Sequence, residues 1–185
     1  MNTLMSKEMS HPIKIRDPIA EARRQWTAHG WTDAAPGMAA VTTITRVQQI
    51  LGSWVEEALG PLGLTFARFE ILRLLGFTRR GRLPMGKISD RLQVHPASVT
   101  SAVKRLEREG LITRRTDEGD NRIVLAAITP KGREVLVPAT HAVNEVFESI
   151  GLEEAEVDEL IALINPIRDA AGDHVDRPSG GETED

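Results

Sequence analysis

The sequence predicts a mainly α-helical chain carrying one small β-hairpin. Three observations lead there. Apolar residues recur at helical spacing through most of the 185 residues, proline and glycine punctuate those runs at their starts and ends, and two strand-like runs flank a short polar turn.

The elements follow in order. Asp17-Pro18 is a helix start, since the carboxylate can cap free N–H groups and proline is tolerated in a first turn; Ile19, Ala22 and Trp26 continue the period and Gly30 ends it. This gives a short helix over 17–29. After a loop around Pro36 and Gly37, a longer helix over 39–59 carries the stripe Val41, Ile44, Val47, Leu51, Trp54, Val55 and Ala58, and Gly60, Pro61 and Gly63 end it. Thr65 caps the next helix, to about Phe77, with Phe66, Phe69, Leu72 and Leu75 inward. Gly81-Arg82-Leu83-Pro84 is long enough only for an edge strand or turn. Met85 to Leu92 makes two helical turns with Ile88 and Leu92 buried, and Pro96 opens another helix with Val99, Val103 and Leu106 inward, closed by Gly110. Leu111–Thr116 and Arg122–Thr129 are strands around the polar tip Asp117 to Asn121. Thr129-Pro130 starts a helix reaching about Ser149. The last helix, 153–171, carries Val157, Leu160, Ile161, Ile164 and Ile167 on one side, with a kink expected at Pro166.

Composition narrows the class. Apolar residues make up 41% of the chain and charged residues 27%, ordinary for a globular protein with a core. There is no cysteine, which excludes disulfides, thiolate metal sites and cysteine nucleophiles, and fits the cytoplasm. Uncharged stretches such as 34–45 fall short of the roughly 20 apolar residues of a membrane span, and Met1 to Pro12, with Lys7, Glu8 and His11, lacks the apolar run of a secretory signal. The net charge of −4 hides an asymmetry: from Arg79 to Arg122 eleven basic residues face six acidic ones, whereas from Glu145 onward thirteen acidic residues face two arginines. A basic middle in an acidic chain is the pattern of a module that meets a polyanion.

Two short helices joined by a tight turn and followed by a hairpin make a winged helix-turn-helix, with the second helix suited to a major groove and the wing to an adjacent backbone or minor groove. With Val99, Val103 and Leu106 turned inward, Ser98, Thr100, Ser101, Lys104, Arg105 and Arg108 are left outward. The hydroxyls permit close approach to phosphate at the helix start, and the cations can bind guanine edges or phosphates. Arg114 and Arg122 add cations from the wing. Alternatively, the same basic face meets an acidic protein partner, making the chain a winged-helix interaction module.

The run His95-Pro96-Ala97-Ser98-Val99-Thr100-Ser101-Ala102-Val103-Lys104-Arg105-Leu106-Glu107-Arg108-Glu109-Gly110-Leu111-Ile112 resembles the recognition helix and first wing strand of the MarR (multiple antibiotic resistance regulator) family of bacterial transcription factors. The resemblance extends through Asp117 to Arg122, Ile128-Thr129-Pro130-Lys131-Gly132, and Leu64-Thr65-Phe66-Ala67-Arg68-Phe69, over about residues 40–170. It implies a homodimer, usually a repressor, whose intertwined terminal helices hold two winged lobes over a pseudo-palindromic operator. The apolar stripes of 39–59 and of the last two helices favour the same dimer, being too apolar to leave exposed. By the match, Thr100 and Arg105 fall at DNA contacts and Arg122 at a wing arginine. The family's wing commonly reads Asp-x-Arg-Asp-x-Arg, whereas Gly119 replaces its first arginine here, so insertion of the tip into a minor groove is not implied. Asp120 either holds Arg122 by an ion pair or simply stiffens the hairpin with it.

The domain order expected is therefore a flexible arm (1–16), an extension helix and loop (17–38), a dimerisation helix (39–63), a winged DNA-binding lobe (64–129), C-terminal dimerisation helices (130–171) and a disordered acidic tail (172–185). The resemblance also implies a small aromatic or lipophilic effector between lobe and dimerisation helices. Trp26, His29, Trp31, Arg46, Trp54, Phe66, Phe69 and Arg73 are the candidate walls, an aromatic set with basic partners for an aromatic acid or its CoA thioester. Trp54, Phe66 and Phe69 lie on apolar faces and read more readily as plain core, and the amino-terminal tryptophans read also as a clasp for the dimer. No metal or cofactor is expected, since His11, His29, His95, His141 and His174 form no i, i+4 pair. No enzyme is expected either: the sequence has no GxSxG, P-loop, HExxH or dinucleotide fingerprint, and Glu153, Glu154 and Glu156 complement a helix dipole.

Overall fold

The computed structural model describes residues 17–117 and 119–175. The expected arm (1–16) and all but the start of the acidic tail lie outside the described residues. The chain forms two compact units, Met1–Glu57 and Ala58–Asp185.

In the first unit, α1 (Pro18–Ala28) starts as its sequence dictates: Asp17 Oδ1 accepts from the amides of Ile19 (2.9 Å) and Ala20 (3.3 Å). A second helix, α2 (Ala35–Leu59), runs on through the boundary between the units. It begins four residues earlier than expected, because Pro36 and Gly37 form its first turn rather than a loop. Proline there removes an N–H that has no intrahelical partner anyway. Of the α2 stripe, Val41 (66% exposed), Ile44, Val47 and Trp54 remain exposed on the single chain.

In the second unit a 3-10 turn, Gly60–Leu62, leads through Gly63, at φ +67°, into α3 (Phe66–Phe77). Then come β1 (Arg82–Pro84), α4 (Met85–Leu92), α5 (Pro96–Arg108), β2 (Ile112–Thr116), β3 (Val124–Ile128), α6 (Pro130–Glu148) and α7 (Glu154–Ala170). The sheet is antiparallel in the order β1-β3-β2, with Arg82 opposite Ala127 and Ile112 opposite Ile128, so the short edge strand is indeed sheet.

The core gathers around α3, which packs against α5, α6 and β3. Leu59, Ile71, Leu72 and Leu75 are essentially inaccessible there, together with Ile88 from α4 and Val103 and Leu106 from α5. Ile71 lies off the anticipated stripe and Phe66 is only half-buried. A central helix buries more than one face, whereas a single-stripe reading assumes a surface helix. Pro138 and Pro166 lie inside α6 and α7, and both helices continue past them. Glu153 and Glu156 close a capping box on α7, with Glu153 N–H donating to Glu156 Oε2 (2.9 Å), which accounts for the acidic cluster. Leu160, Ile161, Leu163 (75% exposed) and Ile167 leave α7 apolar on its surface.

Candidate nucleic-acid interface

The three residues Gln93 to His95 join α4 to α5. Gln93 takes a left-handed conformation (φ +52°), which turns the chain sharply enough to bring α5 back across α4. Pro96 occupies the first turn of α5, and His95 Nδ1 accepts from the Ala97 amide (3.2 Å). His95 is thus the helix cap.

Burial of Val99, Val103 and Leu106 leaves Ser98, Ser101, Lys104, Arg105 and Arg108 exposed on the other side, as their spacing requires. Thr100 is half-buried, and its hydroxyl donates to the Pro96 carbonyl (2.9 Å). It faces an open cleft of about 590 Å³ between α4, α5 and the wing, whose walls include Pro84, Lys87, Asp90, Arg114, Arg122 and Val124. On the opposite flank of α5 a second groove of about 510 Å³ runs along Thr65, Arg68, Ser98, Ser101 and Arg105. The outward ridge of α5 therefore stands between two grooves, each edged by cations.

Two wing residues are engaged within the protein itself. Arg114 reaches the cleft, but its guanidinium is clamped by Glu107 of α5, with Nη2–Oε2 at 2.6 Å and Nε–Oε2 at 2.8 Å. Its amide also donates to Glu107 Oε1 (3.3 Å). Hydrogen bonding to Arg114, reinforced by its charge, holds the Glu107 carboxyl below the usual carboxylate range. Arg114 thus fixes the wing to the recognition helix. At the tip, Asp120 does not form the considered ion pair; its Oδ1 accepts from the Arg122 backbone amide (2.9 Å), and Asp117 Oδ1 likewise accepts from Gly119 N–H (2.9 Å). These are turn-forming bonds, and they stiffen the hairpin while the exposed Arg122 side chain faces the cleft.

Sequence reasoning missed the partner of Arg68. This residue is 4% exposed, and its Nη1 donates to both oxygens of Glu109 (3.1 and 2.9 Å), Nη2 to the Gly63 carbonyl (2.6 Å) and Nε to Thr65 Oγ1 (3.2 Å). A cation beside buried Phe69 on an inward helix face must be paired, and that was the available signal.

The candidate effector residues fall into separate groups. In the first unit, Trp26 and Trp31 meet edge to face (5.3 Å between centroids), His29 stacks on Trp31 (5.8 Å), and on α2 Arg46 Nη1 donates to Gln49 Oε1 (3.4 Å) while Trp54 is exposed. In the second unit, Phe66 and Phe69 stack at 6.2 Å, and with Arg73 they line an apolar cleft of about 230 Å³. Its other walls, Glu70, Leu74, Phe77, Leu92 and Phe147, were not anticipated. Arg73 lies over the Phe77 ring (4.2 Å) and donates to Thr140 Oγ1 (3.3 Å), while its Nε is buried with no hydrogen-bond partner among the described residues. Burial raises the Glu70 carboxyl above its ordinary value.

Among the described residues no group of three or more His, Asp or Glu side chains is placed to hold a metal ion, and no helix is long and apolar enough to cross a membrane.

Residues 64–124, the winged lobe nearly from end to end, match the MarR family model. The regulator Sco5413 of Streptomyces coelicolor, a MarR family transcriptional regulator of known structure, superposes with a TM-score of 0.68 at 47% identity, covering 76% of this chain and 99% of that one. The HTH-type transcriptional regulator MhqR of Bacillus subtilis (strain 168) is 27% identical over 122 residues, 66% of this chain and 76% of its own length. Sco3205 of S. coelicolor, solved in complex with DNA, shares the fold with a TM-score of 0.67 at 19% identity, over 78% of this chain and 91% of that one. With near-complete coverage of a relative at 47% identity and the family model matched across the winged lobe, the chain belongs to the MarR family of transcriptional regulators.

Proposed function

We propose that this chain works in the cytoplasm as a homodimeric repressor that reads a pseudo-palindromic operator and is released by a small aromatic or lipophilic ligand. The observation that carries the DNA reading is the ridge of α5. Ser98, Ser101, Lys104, Arg105 and Arg108 stand exposed between two cation-edged grooves, with Thr100 and Arg122 facing the wing-side groove. Hydroxyls near the helix start suit phosphate, and the arginines farther along suit guanine edges or phosphate. Arg114 contributes as the brace that orients the wing. Dimerisation is supported by the large apolar residues left exposed along α2 and α7 of the single chain, Val41, Ile44, Val47, Leu163 and Ile167 among them. Two copies would present two ridges to successive major grooves, about one helical turn apart.

The effector reading rests on the cleft walled by Phe66, Phe69, Phe77 and Phe147. It is apolar, and the Arg73 cation and the Glu70 carboxyl, whose pKa burial raises, line it beside the aromatic rings, a setting that suits a planar ligand bearing a polar group. An aromatic acid fits that description, and of its CoA thioester a cleft of about 230 Å³ would take the aromatic acyl group alone.

A gel-shift titration of the full chain with upstream promoter DNA and with random duplex tests the first reading. Arg105→Ala should weaken specific binding by about 1–3 kcal/mol if it contacts a base. No retarded band for the wild type at low salt would overturn DNA binding and leave an acidic protein as the partner of the basic face. Thermal-shift measurements against aromatic acids and acyl thioesters test the second. Stabilisation should be lost in Arg73→Leu, and identical responses in wild type, Arg73→Leu, Arg46→Ala and Trp54→Ala would remove these residues from the site.

A further inference from the structure

Glu109 ends the recognition helix as its C-terminal cap, and its carboxylate is shared. Oε1 accepts from the buried Arg68 Nη1 (3.1 Å) and from Arg105 Nε (3.2 Å), while Oε2 accepts a second bond from Arg68 Nη1 (2.9 Å). Arg68 is fixed at its other nitrogens by Gly63 and Thr65, so Glu109 rests on a rigid base supplied by α3. Arg105, by contrast, is 58% exposed along its side chain and lines the groove with Ser98 and Ser101.

From this arrangement we infer that Glu109, seated on Arg68, is a positioning residue for sequence readout. It holds Arg105 by the Nε hydrogen and presents the two terminal nitrogens of the guanidinium outward as a preoriented fork. A base edge needs that geometry, because bidentate recognition of guanine is directional. A phosphate does not, because backbone attraction depends on charge and tolerates a mobile side chain. The carboxylate also offsets one of the two guanidinium charges beside it, which weakens indiscriminate attraction to DNA. Glu109 therefore improves the ratio of specific to non-specific binding from both ends, without touching DNA. This inference rests on the DNA-binding reading above.

The test uses the full chain with two probes: the tightest duplex it recovers from a randomised 30-base-pair pool, and unselected random duplex, both titrated over a KCl series. Glu109→Gln should lower the ratio of the two affinities about fivefold or more, the lower end of what one bidentate contact discriminates, through weaker specific binding and non-specific binding that is unchanged or tighter. Arg105→Ala should lower the ratio similarly, and Glu109→Gln added to it should weaken specific binding no further, leaving only the smaller change that its lost charge makes to non-specific binding. A ratio retained within twofold in Glu109→Gln, or independent effects that multiply in the double variant, would overturn the inference.

A measurement on the wild type guards against a variant that fails to fold. Nitrogen-15 relaxation of the arginine Nε–H groups should find Arg105 ordered in the free protein while exposed Arg108 is mobile; equal mobility of the two would overturn the positioning role. A pool from which the wild type enriches no sequence overturns the DNA-binding reading itself, and the inference with it.

Discussion

Truncating Arg122 isolates a single charge, because the backbone that carries it is held independently. Its amide is bonded to Asp120 Oδ1 (2.9 Å), and the neighbouring turn by Gly119 to Asp117 (2.9 Å), so Arg122→Ala leaves the wing tip in place. Each phosphate neutralised adds about 0.9 to the slope of log affinity against log salt, and a homodimer presents the residue twice, so the slope should shrink by about 1.8. Between 50 and 200 mM salt that difference compresses the gap between wild type and variant about 12-fold, with the variant weaker at the low-salt end. Fluorescence anisotropy with random-sequence duplex over a KCl series reads the slope directly. Parallel lines for the two proteins would refute a phosphate contact at Arg122, and a change near 0.9 would mean that only one wing per assembly engages DNA.

Other substitutions probe the scaffold. A Cβ on Gly132 would collide with the Leu111 carbonyl oxygen and lie 2.9 Å from Ile128 Cγ1, so Gly132→Ala should cost about 1–3 kcal/mol by overpacking, a fall in Tm of roughly 3–10 °C. An unchanged melting curve would contradict the close approach. Glu107, its carboxyl depressed by Arg114, adds stability that is present above the ordinary carboxylate value of 4.5 and lost as pH falls through its lower folded pKa. The advantage of wild type over Glu107→Gln in urea unfolding should therefore disappear in acid, and a constant gap would refute the clamp. Glu70 has the opposite sign: burial disfavours its charged form, so Glu70→Gln should be the more stable protein at pH 7, with wild type catching up as pH falls through the raised pKa. A difference independent of pH would sink that assignment.

The reading helix was legible from sequence because everything that sets its orientation is local. Pro96 starts it, Gly110 follows its end, and the apolar spacing of Val99, Val103 and Leu106 fixes which side faces outward. Arg114 was not legible in the same way. Counted along the chain it is one more cation in a basic segment, but the pairing of β2 with β3 turns it toward Glu107, seven residues earlier on a helix. Arg68 and Glu109 are 41 positions apart, and no spacing rule joins them. The aromatic cleft divides less cleanly: Phe66, Phe69 and Arg73 of α3 were singled out for their aromatic and basic chemistry, whereas Glu70, Leu74 and Phe77 of the same helix, and Leu92 and Phe147 from other elements, were not. The start of α2 was misplaced for a different reason, since Pro36 is compatible both with a loop and with a first helical turn.

One set of contacts ties the recognition helix to the helix that follows the wing. The Thr129 hydroxyl donates to the Gly110 carbonyl (2.8 Å) and accepts from the Gly132 amide (3.0 Å), while Lys131 Nζ donates to the carbonyl of Glu109 (2.9 Å). The start of α6 is thus bonded directly to the end of α5. Farther along, α6 lies against α3 at Gly76, where a Cβ would meet Leu136 Cδ2 at 2.9 Å, and it supplies Phe147 to the aromatic cleft. A ligand that wedges between Phe66 or Phe69 of α3 and Phe147 of α6 would bear on the same helix that carries the Thr129 and Lys131 ties. It needs only to favour one spacing of α3 and α6 over another, and a preference of about 1–3 kcal/mol suffices for an ordinary allosteric effect.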